Sequence, residues 1–241
     1  MAVLLGGAAL FSAPRLESAS GAQRMAGAIY ARGSAHTALL YRWEADLDNA
    51  SGRWRSRYRT PDGALALEDE VVWKGPEFQR YSYVRQNTGE SCSVERVGNK
   101  IVYTRVFGNA ASERAEEDFE PNFMVGPTVL PYIQRHWAEL MQGKGLRIRY
   151  GVPERLQSYG FEITVDRDHP HQTEPDAVVL RMRATSLFVR MAVDPMYMLW
   201  SKDGHILYEM SGRMMPVANQ NGGTHHVDGD LVLAPQPLLG P

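Results

Sequence analysis

Two stretches of the chain bring histidine and carboxylate together. Asp166, Asp168, His169 and His171 fall within DRDHPHQTEPD, and His225, His226, Asp228 and Asp230 within THHVDGD, near the end of the 241 residues. Imidazole nitrogens and carboxylate oxygens are a donor set for divalent ions. His225, His226 and Asp228 are therefore the candidate metal ligands, and a His/Asp loop of this kind defines the alternative function, a hydrolase-type or metal-dependent enzyme. Neither spacing matches a defined metal motif, and polar loops also collect His, Asp and Pro for turn chemistry alone. Cys92, the single cysteine, sits in the strand-like run SCSVERV, where a small thiol reads as packing rather than as a nucleophile. The P-loop, the G-x-S-x-G elbow, H-E-x-x-H, C-x-x-C and the EF-hand loop are all missing. Gly143-Lys144-Gly145 follows a helical pattern, whereas a dinucleotide site needs a strand before its glycines and a helix after them. No cofactor is expected.

Arginine supplies 22 of the 26 basic residues, lysine standing only at 74, 100, 144 and 202. Its planar fork grips carboxylate or phosphate at two points. In LRIRY, Arg147 and Arg149 alternate with Leu146, Ile148 and Tyr150. Arg181 and Arg183 alternate with Val178, Leu180 and Met182 in VVLRMR, and LFVRMAV, read as a strand, sets Arg190 against Leu187, Val189, Met191 and Val193. One sheet face is then arginine-rich: either a solvated exterior balanced by neighbouring acids, or a surface for an anion or a partner. The other face is apolar. Its methionines, Met182, Met191, Met196, Met198, Met210, Met214 and Met215, are flexible enough to line an adaptable pocket. Trp137, Ile133, Met182, Met191 and Trp200 are the candidate ligand-binding residues for a hydrophobic, lipid-like ligand, with plain core filling as the competing reading.

The elements that must hold these residues are mostly strands. From Tyr41 onward short alternating runs are separated by turn chemistry, as at Thr60-Pro61-Asp62-Gly63, Gly98-Asn99 and Ser201-Lys202-Asp203-Gly204. Ten or eleven such runs predict a mainly β fold: one strongly curved antiparallel meander sheet or half-barrel, covered by an amphipathic helix. That helix is GPTVLPYIQRHWAELMQG, with Thr128 as cap, Pro131 in the first turn and Gly143 just past the end. ASERAEED reads equally as a short exposed helix or a solvated loop. A formal charge of −2 gives no field for nucleic acid, so no nucleic-acid partner is expected.

Residues 1–22 carry the apolar run AVLLGGAALFSA, too short to span a bilayer, followed by Ser20 and Ala22 at the −3 and −1 positions of a cleavage site. The segment reads as a signal peptide although no basic residue precedes the run, and 23–241 reads as a single β-rich domain. The product would be periplasmic or secreted, without a transmembrane segment. No cysteine near the cut offers a lipid anchor.

The signal-like segment, the meander with its P-D-G turn, the mid-chain helix ending in GKG and the final WSKDGHILYE hairpin resemble secreted bacterial domains of unknown function. These are distantly similar to the lipoprotein-carrier fold of LolA and LolB. The resemblance spans roughly residues 38 to 216 and implies a curved sheet around an apolar cavity, with a non-enzymatic role binding a hydrophobic ligand or an envelope protein. The missing lipobox cysteine sets the chain apart from anchored LolB-like members.

Overall fold

The computed structural model describes residues 22–48, 50–74, 77–170, 176–220 and 223–235. The signal-peptide expectation falls, apart from Ala22, outside the described residues. Eight strands come first: β1 (Ala22–Ala31), β2 (Leu39–Asp48), β3 (Arg53–Arg59), β4 (Leu65–Lys74), β5 (Glu77–Arg85), β6 (Glu90–Val97), β7 (Lys100–Phe107) and β8 (Glu113–Asp118). After the short β9 (Phe123–Met124) come the helices α1 (Val129–Arg135) and α2 (Trp137–Met141). The chain closes with β10 (Leu146–Val152), β11 (Gln157–Val165), β12 (Ala177–Ala184), α3 (Leu187–Ala192), β13 (Met196–Ser201), β14 (Leu207–Gln220) and β15 (Gly223–Leu233).

All fifteen strands form one curved, unclosed sheet in the order β8-β7-β6-β5-β4-β3-β2-β1-β15-β14-β13-β12-β11-β10-β9. Two meanders are thus joined where the first strand meets the last, Gly27 facing Leu233 and Ala31 facing Gly229. Pairing is antiparallel except for β9, which runs parallel to β10. The turns form where proline and glycine place them. Gly63 has a φ of 96° and its N–H donates to Thr60 O, and Gly98, at φ 60°, occupies the two-residue tip between β6 and β7.

The sheet stays open between β8 and β9, although these strands are consecutive in sequence. Glu117 of β8 reaches across: its Oε1 accepts from the Tyr103 hydroxyl at 2.6 Å and its Oε2 from the Ser158 amide of β11 at 3.2 Å. The helical segment lies against the sheet's inner surface. A 3₁₀ turn at Gly126–Thr128 leads into α1, a break at His136 separates α1 from α2, and Gly143 ends the run with φ 81° while Lys144 N–H donates back to Glu139 O. Val129, Leu130, Ile133 and Leu140 point inward into one core shared with Trp54, Tyr81, Val94, Leu180 and Trp200.

Four sequence expectations are corrected. Residues 113–118 are neither helix nor loop but the edge strand β8, whose charged side chains suit an edge that must not recruit further strands. THHVDGD is not a loop but part of β15: Thr224 to Asp228 pair with β14, and Gly229 and Asp230 with β1 as well. LFVRMAV is not a strand but α3: Arg190 N–H donates to Ser186 O and Val193 N–H to Val189 O. Apolar residues at 187, 188 and 191 satisfy helical spacing as well as near-alternation, which is why the period misled. The covering helix is two short helices rather than one.

Candidate functional site

Strand alternation decides the fate of the expected metal ligands. His226 and Asp228 lie two residues apart on β15, and His225 projects from the opposite face. Asp228 is engaged by Arg213 at 3.7 Å. Among the described residues the group whose donor atoms lie within 4.8 Å of one another is a different one, His36, Glu209 and Asp230. In the other expected cluster, Asp166 is buried, 3.6 Å from the Arg181 guanidinium, and the His169 ring rests on Tyr197. His171 lies outside the described residues. Cys92 is buried on β6, and burial pushes its thiol up to about 12, so it stays protonated at neutral pH.

The candidate ligand residues divide. Ile133, Met182 and Trp200 are buried in the common core, and half-buried Trp137 packs on Trp200 with ring centres 5.8 Å apart while its indole N–H donates to Lys202 O at 3.2 Å. Beside them two buried polar atoms, Trp200 Nε1 and Gln134 Oε1, have no hydrogen-bond partner among the described residues. Met191 is elsewhere, 71% exposed on α3.

α3 carries the feature that the strand reading concealed. Leu187 and Phe188 are 67% and 80% exposed, and with Met191 they share one side of the helix at i, i+1 and i+4. Basic residues flank this apolar face. Arg181, Arg183 and Arg190 line a shallow cleft of about 130 Å³ with Val193 and Pro195. Arg181 leans toward Asp166, but Arg183 and Arg190 make no ion pair with a described residue; Arg190 instead donates to the carbonyls of Ala184 and Thr185 at the end of β12. Glu162 stands opposite Arg183 across the β11–β12 pair, yet its carboxylate lies 3.5 Å from Arg147.

The same rim of the sheet holds a second charged group. β11 starts at Gln157, just after the 3₁₀ turn Pro153–Arg155, and its Phe161 pairs with Ala184 at the end of β12, so α3 and that turn emerge at one end of the strands. Arg85, fully buried at the end of β5, donates through Nε and Nη2 to Met215 O (3.1 and 3.0 Å) and through Nη1 to Glu90 Oε2 at 2.6 Å. Glu90 Oε1 accepts from Arg105 Nε at 2.8 Å. One guanidinium thereby fastens the first meander to the second.

Deeper in the core, Asp69 of β4 is buried between Leu67 and Val71. Burial raises its carboxyl to about 7 despite hydrogen bonds from Ser56 and Tyr58, and Oδ1 has no partner. No described helix is long and apolar enough to cross a membrane.

No family model matches this sequence, and no curated protein matches it. Among solved structures it is similar to a "beta-barrel-like protein of domain of unknown function DUF1849" from Brucella abortus, at 9% identity over 89% of this chain and 97% of that one, with a TM-score of 0.47.

Proposed function

We propose that the protein is a non-enzymatic module of the bacterial envelope, exported by residues 1–22, that docks on an anionic lipid surface through α3. The observation that carries this reading is the exposure of Leu187, Phe188 and Met191 on one six-residue helix beside Arg183 and Arg190, which make no ion pair with a described residue. Large apolar side chains clustered in the open mark a binding surface rather than stray exposure. Each would contribute roughly 1.5–3 kcal/mol on full burial. The flanking guanidiniums select a layer of negative headgroups, at about 1 kcal/mol per basic side chain near such a surface. Sedimentation with phosphatidylglycerol vesicles at low salt tests it. The protein should pellet with them, stay in solution with phosphatidylcholine, and lose binding as Phe188→Ser. Equal sedimentation of that variant would end the proposal.

The orphaned Trp200 Nε1 and Gln134 Oε1 favour a second reading, in which a lipid-like ligand with a polar atom enters between α1–α2 and the sheet. The resemblance to the lipoprotein-carrier fold points the same way. Ile133, Trp137, Met182 and Trp200 close on one another there, so the helices must shift to admit a guest. Delipidated protein that takes up no fluorescent fatty acid would remove this reading and leave the docking surface standing.

A further inference from the structure

A cleft of about 220 Å³ opens where the β5–β6 turn, the β14–β15 hairpin and the 3₁₀ turn Pro153–Arg155 converge. Its charged lining is Arg85, Arg105 and Arg155 against Glu90 and Glu154, three cations to two anions and so an excess of one positive charge. The two carboxylates are already engaged. Glu90 spends one oxygen on Arg85 and the other on Arg105, while Glu154 accepts from the Tyr83 hydroxyl at 3.5 Å and lies 3.9 Å from Arg85. Arg155 is exposed at the edge and makes no ion pair with a described residue. Arg105 bonds Glu90 through Nε and lies 3.8 Å from Glu113 through Nη1, which leaves Nη2 without an ion pair to a described residue, and Thr88, Phe107, Val217, Thr224 and His226 complete the wall.

With both carboxylates engaged, the lining keeps a net positive charge, and a positive hollow attracts an anion. Tetrahedral phosphate suits it better than a flat carboxylate. It carries up to two charges at neutral pH and offers oxygens in several directions, as guanidinium forks and hydroxyls arranged around a hollow require.

We propose that this cleft binds a phosphate group, held by Arg155 and Arg105 with Thr88 and His226 closing around its oxygens. The site is separate from α3 and does not depend on docking. Titration of the intact protein with inorganic phosphate at low ionic strength, followed by the His226 ring resonances and by calorimetry, should give saturable binding. Arg155→Ala, an exposed substitution that leaves the Arg85–Glu90–Arg105 bonds in place, should weaken it at least tenfold. Acetate at the same concentration should compete poorly. Absence of saturation, equal affinity of Arg155→Ala, or acetate binding as tightly as phosphate would each overturn the proposal. Vesicles containing phosphatidic acid, presented to protein carrying Phe188→Ser so that α3 cannot contribute, separate the sources. If Arg155→Ala abolishes their binding, the site takes a lipid phosphate; if phosphate binds and the vesicles do not, it takes a soluble one.

Discussion

Arginine plays opposite parts on β3 and at the α3 rim. On β3 the four arginines face outward from a strand whose other side buries Trp54, Ser56 and Tyr58. The neighbouring strands answer them: Arg57 meets Glu68 at 3.0 Å and Asp46 at 3.2 Å, and Arg55 meets Glu70 at 2.8 Å. Across β12 the register partners of Arg181 are Thr164 and Tyr197, the one acid facing Arg183 turns to Arg147, and α3 contains no acid at all. Residue type is the same in both places. What differs is the supply of carboxylates on the adjoining strands: Arg53, Arg55 and Arg57 each meet one, whereas Arg183 and Arg190 meet none among the described residues.

Four experiments press on that contrast. The largest effect is expected where burial is added to pairing. Glu90→Ala removes the nearest carboxylate from Arg85 and Arg105, leaving Glu154 at 3.9 Å from the first and Glu113 at 3.8 Å from the second; with 4% of the Arg85 side chain exposed, it should cost about 3–5 kcal/mol in denaturant unfolding. A cost below about 1 kcal/mol would mean that the bond to Met215 O is enough. Next, reversing Arg183 and Arg190 together to Glu should weaken phosphatidylglycerol binding on the order of 100-fold, whereas reversing Arg55 and Arg57 should leave it unchanged. Similar losses in both variants would collapse the distinction between the two regions.

The third concerns a buried acid with no cation beside it. Asp69 keeps its proton up to about 7 in the folded chain, against an ordinary value of 3.8. Between those limits the folded state holds a proton that the unfolded state has released, so this contribution is complete below pH 3.8 and is lost as pH rises toward 7. Relative to wild type, Asp69→Asn should lack that decline, which amounts to roughly 1.4 kcal/mol per pH unit inside the window. Parallel stability–pH curves for the two proteins would refute the assignment. The smallest effect belongs to the exposed ladder: Arg57→Ala should change stability by less than about 1 kcal/mol, and less still in 1 M salt.

How much of this was legible in the sequence follows from the same physics. The run WRSRYRT declares both its strand and its buried side, because aromatic and small residues alternate with charge without interruption. The P-D-G turn and the final hairpin are equally plain, since each needs proline or a positive φ at a fixed place. β1 was invisible because AQRMAGAIYA carries little alternation; its place depends on Gly27, where a side chain would meet Val232 O across the strand pair at 2.6 Å. β15 hid behind its polar residues, as two histidines and two aspartates look like a loop until their pairing with β14 is seen. The exposed face of α3 was misread for a narrower reason: six residues are too few to tell a period of 3.6 from one of 2, and LFVRMAV was read as a strand. Arg85 offered only half a signal: Glu90 faces it across the β5–β6 hairpin, but Met215 lies on a strand whose proximity only the tertiary fold creates.

The pairing of β1 with β15 also sets a timetable. Gly27 cannot find Leu233 until nearly the whole chain exists, and at typical synthesis rates of 5–20 residues per second that is on the order of 10–40 s after β1 is made. During that interval β2 through β8 can assemble hairpin by hairpin from local contacts, while the outer edge of β1 waits unpaired beside β2. Of all the strand pairs in the sheet, β1 with β15 joins residues farthest apart in sequence, and it carries the largest loop-closure cost. Truncation by a dozen residues at the C-terminus would leave a half-built sheet with an exposed edge rather than a slightly shorter protein.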